Sequence, residues 1–187
     1  MIKLLAVAQA LQNICVEENW NFCFIGRIAL QYWGEPRVTQ DVDLTLLTGF
    51  GNEEKFIRVL LEKFAPRVKD VERFALKNRV LLLVSSEGIG IDIALAGLPF
   101  EELAVQRAIY VDFLPDISLC TCSAEDLVVF KAFADRPRDW IDVEGILIRQ
   151  SNRLDWDYIT THLQPLAKLK EAPEILTRLQ QLRLDCL

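Results

Sequence analysis

The chain has 187 residues, 51% of them hydrophobic and 26% charged, with 27 acidic against 21 basic side chains and a formal net charge of −6. Such a length suits one domain, or one domain with an appended helical unit, and the apolar content supports a sizeable core. The acidic balance excludes nucleic-acid binding through a general basic surface but leaves a local basic pocket open, and no apolar run reaches the roughly 18–20 residues of a membrane helix.

Leu4, Leu5, Ala8, Leu11, Ile14 and Cys15 recur at helical spacing, which predicts a first helix from Ile2 to about Glu18. The opening apolar residues run straight into Gln9, Gln12 and Asn13, so this start reads as a helix and not as a signal sequence. Trp20 to Ile25 reads as a short strand. Gly26 follows, then a short helix Arg27 to Trp33 closed by Gly34 and Pro36. A glycine between strand and helix lets the backbone approach a ligand, and the amides opening the helix form an anion site; an ordinary tight turn is the plain alternative.

The stretch Arg37-Val38-Thr39-Gln40-Asp41-Val42-Asp43-Leu44-Thr45-Leu46-Leu47 reads as a basic loop entering a buried strand. Alternation along a strand sends Asp41 and Asp43 to one face and Val42, Leu44 and Leu46 to the other. Adjacent carboxylates repel unless a cation lies between them, which points to a divalent-metal site; the other reading is a strand entry with both aspartates in solvent.

Beyond a loop at 48–52, Glu53 to Phe64 is amphipathic and predicts a helix. Residues 67–77 are polar and irregular, with at most a short strand around Phe74. Two strands follow, 79–84 and 89–96, joined by the hairpin turn Ser85-Ser86-Glu87-Gly88. Asp92 interrupts the second of these otherwise apolar strands and needs a partner, a metal, or access to water at the strand end. A helix at 100–106 and strands at 108–113 and 117–122 complete the first part.

Ser123-Ala124-Glu125-Asp126 opens the next helix with a Ser-x-x-acid capping box. That helix carries Lys131 among apolar residues, and the charged turn 136–142 leads into a helix ending near Gln150. Helices at 155–163 and 173–185 close the chain. Its apolar residues Ile175, Leu176, Leu179 and Leu182 cover either the core or a second subunit. The prediction is an α+β fold with a mixed sheet, divided as 1–122 and 123–187.

Five scattered cysteines, an odd number among apolar neighbours, suit a reducing cytoplasm. Cys120-Thr121-Cys122 has neither zinc-knuckle nor redox spacing. His162 is the single histidine, which argues against a histidine-rich metal site and against a Ser-His-Asp triad.

The order strand-Gly26-helix, Asp41-x-Asp43, Asp92 resembles the nucleotidyltransferase superfamily, with its polymerase-β-like fold. The extended pattern joins Arg37-x-Thr39-x-Asp41-x-Asp43 to Lys131…Arg136-x-Arg138-Asp139-x-x-Asp142. It is similar to the AbiEii-type toxin nucleotidyltransferases, over about Phe22 to Gly145. The resemblance implies a nucleotidyltransferase-like sheet flanked by helices, with a C-terminal helical unit completing the cleft. It implies Asp41, Asp43 and Asp92 as ligands of two Mg2+ ions, and these three with Lys131 as the catalytic set. Gly26, Arg27, Arg37, Thr39, Arg136, Arg138 and Asp139 would hold the nucleoside triphosphate.

The implied reaction moves a nucleoside monophosphate to an acceptor hydroxyl on tRNA, protein or a small molecule. The implied setting is a toxin with an antitoxin partner in the cytoplasm, without membrane contact. Asp139 and Asp142 would orient the bases by ion pairing, or else supply an acidic first turn to their helix. The family carries Gly or Ser where this chain has Arg27. That side chain either obstructs the phosphate cradle or reaches in as an extra phosphate ligand. In the first case the chain is a catalytically silent module that binds a nucleotide or a partner.

Overall fold

In the computed structural model, which describes residues 2–36 and 41–186, the chain divides into two units. One comprises Met1–Ile28 and Val38–Cys122; the other comprises Ala29–Arg37 and Ser123–Leu187.

The first unit is built on a seven-stranded mixed sheet. Its elements in chain order are α1 (Ile2–Glu17), β1 (Phe22–Phe24), the start of α2 (Gly26–Trp33), β2 (Asp41–Leu47), α3 (Glu53–Lys63), β3 (Ala65–Pro66), α4 (Val71–Asn78), β4 (Val80–Val84), β5 (Gly90–Ala96), α5 (Pro99–Gln106), β6 (Ile109–Leu114) and β7 (Ile117–Thr121). The strand order is β3-β4-β5-β2-β1-β7-β6. β2 runs parallel to β5, and β1 parallel to β7; the other neighbours are antiparallel. Parallel neighbours need crossover connections, and the helices supply them.

Burial explains why β2 stays where it is. Val42, Leu44 and Leu46 are fully buried and join Leu4, Leu5 and Leu11 of α1 with Phe56, Ile57 and Leu60 of α3 in one apolar cluster. The central strands thus alternate as the period of two requires, apolar side to the cluster and Asp41 and Asp43 to the opposite face. Arg79 ties the far ends of β2 and β5 together. It adopts a left-handed backbone at the end of α4, pairs with Glu53, bonds the carbonyls of Gly49 and Leu95, and lies over the Phe50 ring.

The second unit holds α6 (Ala124–Ala134), α7 (Pro137–Gln150), a short 3-10 turn (Ser151–Arg153), α8 (Trp156–Leu169) and α9 (Glu174–Cys186). α6 packs against each of the other three helices, and Leu127, Val128, Val129 and Ala132 are fully buried. A helix with apolar residues on most of its faces belongs in the middle of its bundle. Ser123 caps it, accepting from the Asp126 amide at 3.1 Å and donating to Asp126 Oδ2 at 2.7 Å. Tyr158 donates to Asp126 Oδ1 at 2.6 Å, so this fully buried carboxylate is held from two sides. The end of α2 is closed by α7: Gln150 donates to the Trp33 carbonyl and Arg149 to the Gly34 carbonyl, both at 2.6 Å. These are carbonyls that a helix cannot satisfy internally.

Two local expectations change. Residues 67–77, read as irregular, contain the helix α4, whose Val71 and Ala75 are buried one turn apart. Only eight residues long and crowded with charge, it shows too few apolar positions for its period to stand out. α8 does not stop at Leu163 but runs through Pro165 to Leu169. Proline there leaves the Thr161 carbonyl without a helical donor, and the burial of Leu163 and Ala167 on either side holds the helix together. Among the described residues no helix is long and apolar enough to cross a membrane.

Candidate active site

The site in the first unit grows from the register of three strands. Asp43 lies opposite Asp92 across the parallel β2–β5 pair, and Asp41 lies opposite Gly90. Residues paired in register on parallel strands project to the same face, so Asp41, Asp43 and Asp92 share one surface. The two open positions beside them are glycines. A Cβ on Gly90 would overlap the Asp41 carboxylate and the Arg67 guanidinium, and a Cβ on Gly26 would overlap the Asp43 carboxylate. Gly26 also has φ +57, a left-handed backbone that glycine adopts without strain.

Gly26 sits where β1 turns into α2. The Ile25 amide donates to the Asp43 carbonyl at 3.1 Å, which pins the turn to β2. One residue later the Arg27 amide donates to Asp43 Oδ2 at 3.4 Å. The carboxylate thus faces the amide end of α2.

Arg67 enters this site unannounced by the sequence. Its amide bonds the Leu82 carbonyl at 3.0 Å, and Leu82 lies opposite Asp92. The side chain reaches across β4 and brings Nη2 to Asp92 Oδ1 at 2.5 Å and Nη1 to Asp41 Oδ1 at 3.4 Å. No local pattern marks such a residue; Arg67 sits 26 positions from Asp41 and 25 from Asp92. Burial pushes the Asp92 carboxyl above its ordinary value, with Arg67 pulling it down and Asp41 pushing it further up.

The resemblance calls for divalent metal here, and the donor set suits one. Hard oxygen ligands match Mg2+, the two glycines leave room at Asp41 and Asp43, and a cationic group already bridges Asp41 and Asp92. In the present arrangement that cation is the guanidinium. Among the described residues no group of three or more His, Cys, Asp or Glu is arranged around a common metal position.

The other expected site residues lie elsewhere in the chain. Arg37 and Thr39 fall outside the described residues. Lys131, Arg136, Arg138 and Asp139 belong to the second unit. There Lys131 is buried and donates to Asp142 Oδ2 at 2.6 Å and Asp139 Oδ1 at 3.3 Å. Arg136, itself exposed, clamps Asp139 with Nε at 2.5 Å from Oδ2 and Nη2 at 3.3 Å from Oδ1. Burial works to raise the Asp139 carboxyl, but the Arg136 hydrogen bond and the Lys131 and Arg136 charges outweigh it, so the group sits below its ordinary value. Arg138 is exposed.

No protein-family model matches the chain, and no curated protein matches it. Solved structures do. An antigenic nucleotidyltransferase-like protein from Paracoccidioides brasiliensis superposes with a TM-score of 0.52 at 16% identity, covering 95% of this chain and 92% of that one. The antibiotic-resistance factor ANT(2″)-Ia superposes in solution with a TM-score of 0.55 at 15% identity, over 92% of each chain. Its crystal structure with adenylyl-2″-tobramycin gives 0.53 at 14%, over 90% of this chain and 96% of that one. Likeness at these identities defines the class of architecture: the chain has the nucleotidyltransferase-like α+β fold, a mixed sheet flanked by helices.

Proposed function

We propose that the protein is a metal-dependent nucleotidyltransferase that moves a nucleoside monophosphate from a nucleoside triphosphate to an acceptor hydroxyl. One observation carries this reading. Asp41, Asp43 and Asp92 share one face of two parallel strands in register, beside a strand-glycine-helix turn whose first amide already meets a carboxylate. Likeness of fold to nucleotidyltransferase-like proteins supports it.

In this reading Asp41, Asp43 and Asp92 hold two Mg2+ ions, which when bound neutralise phosphate charge and lower the pKa of the acceptor hydroxyl. The Gly26 turn brings backbone amides to the triphosphate. Asp92, whose carboxyl is raised by burial, is suited to take the hydroxyl proton as the oxygen attacks the α-phosphorus and pyrophosphate leaves. Arg27, Arg37, Thr39, Arg136, Arg138 and Asp139 as nucleotide contacts, and Lys131 as a catalytic group, rest on the motif they form. The same motif supports an AbiEii-type toxin, acting in the cytoplasm beside an antitoxin. The acceptor is an RNA end, a protein side chain or a small molecule; ANT(2″)-Ia, by comparison, has been solved with an adenylylated tobramycin.

The bridge from Arg67 to Asp41 and Asp92 favours a second reading, a catalytically silent module in which the guanidinium permanently replaces metal and a nucleotide or partner is only bound. Incubation with Mg2+ and each labelled nucleoside triphosphate, with and without total RNA, separates the two. Label transfer that Asp41→Asn abolishes supports the enzyme. Absence of transfer, with metal binding indifferent to Asp41→Asn, supports the silent module.

A further inference from the structure

We infer that Arg67 is a built-in competitor of the divalent metal: its guanidinium holds Asp41 and Asp92 in the resting protein and is exchanged for the ion. This rests on the metal reading of the carboxylates given above. The geometry that supports it is a row across the sheet. Arg67 is fixed by its backbone to Leu82, Leu82 is opposite Asp92, and Asp92 is opposite Asp43. Neighbouring strands lie about 4.8 Å apart, so only a long side chain standing on β3's end of the row can span β4 and touch β5 and β2. A planar fork serves two carboxylates at once where an ammonium would serve as a point charge.

Three features make the contact exchangeable rather than permanent. Arg67 is anchored through its main chain, so its side chain can leave without unpairing the strand. Its side chain is 34% exposed, against 33% for Asp92 and 42% for Asp41, so water can solvate each partner once they separate. Of the two contacts that Arg67 makes, the one to Asp41 is the longer at 3.4 Å, on the side where Gly90 makes room. Three carboxylates on one face repel one another, and a divalent ion offsets more of that charge than the monovalent Arg67 guanidinium. Among the described residues no three-carboxylate cage stands ready: Asp41 and Asp92 are turned toward Arg67, and Asp43 toward the Arg27 amide.

The consequence is that metal alone binds weakly until Arg67 is removed. Mn2+ titration followed by electron paramagnetic resonance, at pH 8, reads this directly on the full chain. Removing the competitor in Arg67→Gln is expected to tighten Mn2+ binding about tenfold, or roughly 1.4 kcal/mol. Arg67→Lys, which keeps the charge but not the fork, should fall between. Circular dichroism confirms folding of each variant, and either folded variant suffices. Unchanged or weaker Mn2+ binding in the variants, with binding abolished by Asp41→Asn, overturns the competition while leaving the metal site intact. Binding absent from every form, or unaffected by Asp41→Asn, overturns the metal reading itself and this inference with it.

Discussion

Lys131→Met separates a structural from a chemical role for the buried lysine. The Lys131 side chain is 7% exposed, and its partners Asp139 and Asp142 are 5% and 3% exposed. Deleting the ammonium while keeping most of its bulk leaves two carboxylates in a space with little water. Breaking a buried pair by removing one partner costs about 3–5 kcal/mol. Loss of two charge-assisted hydrogen bonds, at about 1.5–3 kcal/mol each, gives the same range. Asp139 keeps its clamp from Arg136, which places the expected loss near the lower end, about 3 kcal/mol. For a chain of this size each kcal/mol lowers the midpoint by about 2–4 °C, so thermal unfolding followed by far-ultraviolet circular dichroism should drop by about 6–12 °C. Adding Asp142→Asn removes one of the two buried carboxylate charges that Lys131 balances and should recover part of the loss, a coupling of about 1 kcal/mol or more. The reasoning fails if Lys131→Met unfolds within about 2 °C of wild type yet abolishes nucleotide transfer. That result would place the ammonium on substrate and not in the ion pair.

Gly90→Ala should leave the stability within about 1 kcal/mol of wild type, because the nearest atoms the added methyl meets are the ends of the Asp41 and Arg67 side chains. It should nonetheless weaken Mn2+ binding and nucleotide transfer by more than about tenfold by displacing the Asp41 carboxylate; unchanged Mn2+ affinity would refute the close fit. The Asp139 carboxyl lies below its ordinary value in the folded chain. Its stabilisation is therefore present above the unfolded value near about 3.9 and lost as pH falls through the folded one. Urea midpoints should decline below about pH 4, and decline less steeply in Asp139→Asn. Burial pushes the Cys15 thiol up to about 12, and Cys23 and Cys122 are also buried, whereas Cys120 and Cys186 are half-buried. Burial raises the Cys120 and Cys186 thiols as well, so a thiol reagent at pH 8 should modify these two slowly in the native protein and reach the other three only on unfolding.

Some of this protein is legible one residue after another. The period of two in β2 places Asp41 and Asp43 on one face and Val42, Leu44 and Leu46 on the other whatever the rest of the chain does, because successive side chains of a strand must alternate. Gly26 between strand and helix announces a turn, and Ser123 three residues before Asp126 announces a helix start, since the cap is made by a group three residues away. α4 was illegible for the opposite reason: two buried positions in eight residues do not make a period.

The tertiary structure decided which distant residues complete each site. Asp92 faces Asp43 because β5 inserts beside β2 in parallel register, a pairing fixed by burial of Val42, Leu44, Ile91 and Ile93 in a common cluster. Arg67 reaches Asp92 and Asp41 because β3 and β4 add in turn to that edge. Lys131 meets Asp139 and Asp142 because α6 and α7 pack together. Alternation and capping are properties of the local chain. Register and helix packing follow from where the apolar surface is buried, and that is settled only when the whole chain has folded.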